Sequence, residues 1–184
     1  MNWFLFFVAR DKRVQKKLQD ELDEVIGDHG QVTSTDAKSL DYLTMVLKES
    51  MRLRPPVPIF MRKLIKDQKL GKYLIPGGTN ICILVEQMHM NPDIYKEPEK
   101  FIPERFDKEA NDKLPDYSWV PFSAGIRNCV GQKFATLELK VLLGTLLFHY
   151  DVDTLVTEEE IGIIYKVVNR PRNPVILRFQ KRSR

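Results

Sequence analysis

Cys129 is the residue of this chain best placed to do chemistry. The segment Phe122-Ser123-Ala124-Gly125-Ile126-Arg127-Asn128-Cys129-Val130-Gly131 presents its sulfur at a glycine-framed turn that opens onto a long apolar run. A helix N-terminus carries partial positive charge and free N–H donors, so a thiol there loses its proton more readily and the sulfur can be fixed by backbone hydrogen bonds. Gly125 and Gly131 allow a tight turn and a close approach of the backbone to a flat ligand. Arg127, two residues before the sulfur, can reach an anionic group on that ligand. A lone cysteine beside an apolar helix is more often a small buried hydrophobe, so its companions decide.

The companions are Glu49-Ser50-Met51-Arg52 and Pro103-Glu104-Arg105-Phe106. Glu49 and Arg52 stand at i and i+3 in a segment whose Leu43, Val46, Leu47 and Ser50 form one face. On a helix surface such a pair contributes about 0.2–0.5 kcal/mol. Pro103 to Phe106 adds a further arginine in a proline-punctuated stretch.

In this order, E-x-x-R, P-E-R-F and F-x-x-G-x-R-x-C-x-G resemble the signature of the cytochrome P450 superfamily, and Phe122, Gly125, Arg127, Cys129 and Gly131 fill all fixed positions of the cysteine loop. The resemblance implies haem b, with Cys129 as axial ligand, Phe122 shielding the sulfur, and Arg127 with Arg62 neutralising propionates. It implies that Glu49, Arg52 and Arg105 lock together beneath the haem, where a carboxylate held by two arginines can survive burial. Tyr73-Leu74-Ile75-Pro76-Gly77-Gly78-Thr79 resembles the family's turn between two strands. His89-Met90-Asn91-Pro92 is similar to its H-R-x-P, with Met90 in place of the arginine. The residues Gln132-Lys133-Phe134-Ala135 and Asp20-Glu21-Leu22 are most similar to family four, the fatty-acid hydroxylases.

The activity so implied is insertion of one oxygen atom from O2 into a lipophilic substrate such as a fatty acid. Electrons would come from NADPH–cytochrome P450 reductase, with Lys133 and Lys140 as contacts, at the endoplasmic reticulum membrane. The resemblance covers residues 1–184 as the C-terminal part of one domain. Its oxygen-activating pair, distal wall and membrane anchor are expected before residue 1. The isolated chain is accordingly expected to bind haem loosely and to lack turnover. The other reading is a non-catalytic product, or a module that binds haem or a partner.

Composition narrows the alternatives. With 184 residues and 43% hydrophobic content the chain can bury a core as one domain. Its net charge of +4 is spread along the chain, which does not suggest nucleic acid. Cys82 and Cys129 are too few for a disulfide framework, and His29, His89 and His149 are too scattered for metal spacing. Cys82, among isoleucines, reads as a core residue. No G-x-S-x-G and no phosphate-cradling glycine loop occurs.

The resemblance implies a scaffold that is α+β, mainly α, with small antiparallel sheets, and the order of elements fits it. Asn2 to Ala9 is too short for a membrane span and reads as a buried helix whose apolar face, from Trp3 to Val8, is left wanting partners. Asp11 caps a second helix, with Val14, Leu18, Leu22 and Val25 at helical spacing before Gly27. Ser39 is the expected cap of the Glu49 helix, and Pro55-Pro56 its stop. Lys69 to Met88 suggests a small antiparallel sheet, and Asn91 to Ser118 meanders. Val130 to Tyr150 has few charges and reads as a helix buried on most sides. Ile163 to Val168 and Pro174 to Phe179 read as a hairpin, and Gln180 to Arg184 as a solvated basic end.

Overall fold

A computed structural model of the chain describes residues 1–27 and 30–183, so His29 and Arg184 lie outside the described residues. Helix α1 (Asn2–Arg10) turns directly into α2 (Lys12–Ile26), because the Asp11 side chain accepts from the Val14 amide and Gly27 ends the second helix at φ 53°. Next come α3 (Asp41–Leu53), strands β1 (Ile59–Lys63), β2 (Gln68–Leu70), β3 (Tyr73–Ile75) and β4 (Asn80–Leu84), and the short α4 (Val85–His89). A meander containing α5 (Lys108–Asn111) leads to the long α6 (Gln132–His149). Strand β5 (Tyr150–Thr154), α7 (Glu158–Ile161), β6 (Ile163–Ile164), β7 (Arg170–Pro171) and β8 (Leu177–Lys181) complete the chain. The architecture is α+β, mainly α, with four two-stranded antiparallel ribbons among the described residues: β1–β4, β2–β3, β5–β8 and β6–β7.

The core is where α1, α2, α3, the second half of α6 and β5 meet, around Phe4, Leu18, Leu43, Leu147 and Val152. Trp3 to Ala9 are all buried, with Trp3, Phe6 and Phe7 packed on Leu53 and Ile161. The partners expected from elsewhere are thus supplied within the chain, because α7 and β5 return to this helix. The buried Gln15 amide fastens α2 to β5 as a strand would: Nε2 donates to the Val152 carbonyl at 2.8 Å and Oε1 accepts from the Val152 amide at 2.8 Å. Gly144 seats α6 on the segment before α3, since a Cβ there would stand 2.7 Å from Val32 Cγ2.

Several sequence expectations are corrected. Ser39 does not cap α3. The carboxylate of Glu21, on α2, accepts from the Tyr42 and Leu43 amides at 2.6 and 2.9 Å, doing for the helix start what a local cap does elsewhere. The buried residues of α6 are all in its second half, and Phe134 and Leu137 of the first half, with Leu142 just beyond it, face outward. Nothing among the described residues covers that apolar surface. Cys82 is exposed, because the β1–β4 ribbon buries one face only and Cys82 pairs with exposed Met61 on the other. The segments 163–168 and 174–179 do not pair with each other. β6 closes on β7, and β8 crosses to β5, which follows α6 directly. Arg182 is not loose: its guanidinium grips Asp23 at 2.7 and 3.0 Å and the Phe148 carbonyl at 2.9 Å.

Candidate functional site

The site has a buried foundation and an open loop. In the foundation Glu49 and Arg52 have fully buried side chains, joined by Nε to Oε2 at 2.7 Å and Nη2 to Oε1 at 2.8 Å. Arg52 also donates to the carbonyls of His89 (2.8 Å) and Lys100 (3.2 Å) and lies 4.9 Å from the Tyr95 ring centre. Arg105 adds its Nε to Glu49 at 3.3 Å and gives its other donors to the Lys96 and Glu97 carbonyls. The Ile102 amide completes the coordination of Glu49 at 2.9 Å. Every charge in this group is met by an opposite charge and by backbone dipoles, the condition under which a buried ionic network persists. The expected trio of Glu49, Arg52 and Arg105 is one cluster, and the Met90 sulfur sits 3.8 Å from Arg52.

The loop rises from this foundation. Trp119 Nε1 donates to the Lys48 carbonyl of α3 at 3.0 Å, and the Val120 amide donates to His89 Nε2 at 3.0 Å. Burial holds the His89 ring neutral, its pKa lowered to about 4. Phe122 lays its ring edge-on to Trp119 with centres 6.3 Å apart, while its carbonyl accepts from the Cys129 amide at 2.9 Å. Ser123 takes the left-handed φ of 62° and Gly125 one of 79°. Left-handed backbone is easy for glycine and strained for serine. Gly131 is in an ordinary conformation at φ −85°, so its role is not the tight turn that its type suggested. A Cβ on it would lie 3.9 Å from the Cys129 sulfur.

Around the loop the donors face open space. Cys129 is exposed beside a cleft of about 860 Å³ that Val130, Lys133, Leu137 and Thr35 help to line. Arg62, on the half-buried face of β1, lies 4.8 Å from the Phe60 ring centre and donates to Ser123 Oγ at 2.6 Å. It shares a second cleft, of about 570 Å³, with Arg127 and Lys63. Ile126 and Val130 are fully exposed. A soft sulfur donor, a guanidinium from the loop and another from β1 on one cleft, and bare apolar side chains beside them are the donor set of a flat, metal-centred ligand with anionic edges. The residues present therefore fit haem. Lys133 is exposed, whereas Lys140 is committed inward, donating to the Ala37 carbonyl at 2.6 Å. Among the described residues no group of His, Cys, Asp and Glu could hold a further metal ion, and no helix is long and apolar enough to cross a membrane.

Sequence reasoning missed three members of this arrangement. His89 and Trp119 tie the loop to α3, and Glu104 gathers Arg13, Lys17 and the Tyr42 hydroxyl. Burial works to raise the Glu104 pKa, but hydrogen bonds from Arg13 and Lys17 outweigh it and bring it down to about 2. Their partners lie tens of residues away, so no local spacing marks them. The His89-x-x-Pro92 pattern and Pro103-Glu104-Arg105-Phe106 mark the regions of two of them but not their partners.

The family model for cytochrome P450 matches residues 1–178. The chain is 40% identical over 183 residues to cytochrome P450 4V2 of Mus musculus, an alignment covering 99% of this chain and 35% of that protein. It is 38% identical over 184 residues to cytochrome P450 4c21 of Blattella germanica, covering 100% of this chain and 37% of the relative. It is 32% identical over 185 residues to cytochrome P450 4c3 of Drosophila melanogaster, covering 100% and 35%. The chain thus spans little more than a third of the length of these curated relatives, whose names bear out the likeness to family four.

Proposed function

The chain belongs to the cytochrome P450 family, and from that premise we propose that it serves a haem-thiolate monooxygenase inserting one oxygen atom from O2 into a lipophilic substrate such as a fatty acid. We further propose that residues 1–184 form the C-terminal part of one catalytic domain. The enzyme would draw electrons from NADPH–cytochrome P450 reductase at the endoplasmic reticulum membrane. The observation that carries this reading is the exposed Cys129 sulfur, on a loop fastened from below to a fully satisfied acid–arginine network.

Each side chain has a task in that scheme. Cys129 would hold the haem iron, and a thiolate in that position supplies the electron push that favours O–O cleavage, a property for which this family is the general example. Arg62 and Arg127, sharing a cleft, would neutralise the anionic edge. Arg62 also fixes Ser123, so binding charge and loop shape are set by one guanidinium. Phe122 holds the loop's return through its carbonyl and would shield the sulfur with its ring. Gly125 supplies the positive-φ turn and leaves open space where a Cβ would stand. Glu49, Arg52 and Arg105 keep the base of the loop rigid. Exposed Lys133 is the residue we assign to a reductase contact.

Haem-loaded protein, reduced under carbon monoxide, is expected to show the red-shifted Soret band of thiolate ligation. Cys129→Ser should abolish it and Cys82→Ser leave it. A band that survives Cys129→Ser, or that vanishes in Cys82→Ser, overturns the assignment. On this reading the isolated 184 residues would hold a flat ligand from one side and leave its other face to water. They should retain haem weakly and give no hydroxylation of a long-chain fatty acid with reductase and NADPH. Cys129-dependent turnover by this chain would refute that part.

A further inference from the structure

We propose that His89 is a positioning residue for the cysteine loop: its imidazole, held between the Arg52 carbonyl and the Val120 amide, sets the loop's height over the acid–arginine network.

Four hydrogen bonds carry the argument. His89 is fully buried at the end of α4, and its Nδ1 stands 3.3 Å from the carbonyl oxygen of Arg52. Its Nε2 lies 3.0 Å from the Val120 nitrogen, which can only donate, so Nε2 accepts and the ring proton sits on Nδ1, donating to Arg52. The tautomer is fixed by its two partners, as it is for histidines that orient functional groups. The Val120 carbonyl then accepts from the Ser123 amide at 3.0 Å, and the Phe122 carbonyl from the Cys129 amide at 2.9 Å. Backbone position thus passes from the C-terminal end of α3, through one side chain, to the residue that bears the sulfur.

The Arg52 guanidinium meanwhile donates to the carbonyl of His89 itself, at 2.8 Å. The two residues therefore exchange hydrogen bonds, side chain to backbone in both directions, and neither can shift without the other. Both ring nitrogens are met by backbone from two different segments, so the ring fixes the distance between those segments. For a metal ligand, errors of a few tenths of an ångström matter, and supporting partners beyond the ligand fix its orientation.

The consequence for haem rests on the reading of Cys129 as ligand. The hydrogen-bond chain does not, so the experiment reads the two separately. His89→Asn places an amide near Nδ1 and keeps the link to Arg52, but cannot reach Val120. His89→Gln places its amide oxygen near Nε2 and keeps the link to Val120. The first measurement is hydrogen exchange of the Val120, Ser123 and Cys129 amides in the haem-free chain. His89→Asn should speed exchange at these three amides about tenfold or more relative to the α2 and α3 amides, and His89→Gln should hold it near wild type.

The second measurement is the reduced carbon monoxide spectrum of haem-loaded protein. His89→Asn should show a larger fraction of the blue-shifted form that lacks thiolate, and His89→Gln a smaller one. Equal loss of melting temperature in both variants, with exchange at the three loop amides at wild-type rates, would make His89 a packing residue and overturn the proposal. If loop exchange responds as expected while Cys129→Ser leaves the spectrum unchanged, the positioning link stands and the ligand assignment falls.

Discussion

Glu49 and Cys129 belong to one candidate site but are surrounded in opposite ways. Glu49 is fully buried, with two arginines and a backbone amide on its oxygens. Cys129 is exposed among Ile126, Val130 and Phe134, apolar side chains that nothing among the described residues covers. The same division runs through α6, whose Leu143, Leu147 and Phe148 are core while Phe134 and Leu142 face outward. A protein buries what it can satisfy by itself and leaves bare what another group is to complete. On the proposed function the foundation is a folding device and the loop a receiving one, and substitutions should separate the two.

The largest effect is expected at the foundation. Removing one partner of a buried ion pair strands the other charge, which costs about 3–5 kcal/mol, a large part of a domain stability of about 5–15 kcal/mol. Glu49→Ala or Arg52→Ala should lower the urea midpoint by that equivalent, or prevent folding, with or without haem. Wild-type stability in both would mean that the network is ornamental and the comparison empty.

Acid should find the same region next. His89 has its pKa lowered to about 4 from 6.5, chiefly by burial, so the unfolded chain takes up a proton near pH 6.5 that the folded one refuses. Stability is then fully present above 6.5 and falls as pH drops towards 4, by about 3 kcal/mol in all. Glu104, depressed to about 2, gives a second loss of the same sign between about 4.5 and 2. Subtracting the pH profile of His89→Gln from that of wild type isolates the first window, because the carboxylates cancel. A difference that is flat from pH 7 to 4 would show that the histidine is not held neutral.

What the sequence disclosed follows the same division. Glu49-x-x-Arg52, the Arg105 turn and the cysteine loop were legible because their chemistry is set by short spacings, and the Asp11 and Gly27 boundaries of α2 because capping is local. Ser39 failed as a cap because the actual donor of charge, Glu21, comes from the helix before. The supposed terminal hairpin failed because β8 prefers β5, a pairing that spans α7 and the β6–β7 ribbon. Exposure was misjudged in both directions. Trp3 to Val8 are covered by late elements, while Cys82 lies on a ribbon face that stays bare. Burial is a property of what returns to a segment, and periodicity reports only what the segment can offer.

Within α6 the two halves can be set against each other. Leu147→Ala opens a core cavity and should cost about 2–5 kcal/mol, whereas Phe134→Ala changes an exposed side chain and should stay within about 0.5 kcal/mol in the haem-free chain. If the open half receives the ligand, Phe134→Ala should instead accelerate haem loss to an apomyoglobin trap, several-fold relative to wild type. Equal destabilisation by the two substitutions would erase the distinction between the halves.

The smallest change in stability, and the sharpest discrimination, should come from the two thiols. Both Cys82 and Cys129 are exposed, so in the haem-free chain both should be alkylated by iodoacetamide on similar timescales, and serine at either position should leave the melting temperature nearly unchanged. Loading with haem should then protect Cys129 while Cys82 continues to react, because only Cys129 stands on the loop whose Arg127 shares a cleft with Arg62 of β1. Peptide mapping of the alkylated protein reads the two positions in one sample. Protection of both, or of Cys82 alone, would place the ligand on the β1–β4 ribbon and remove Cys129 from the receiving side of the comparison.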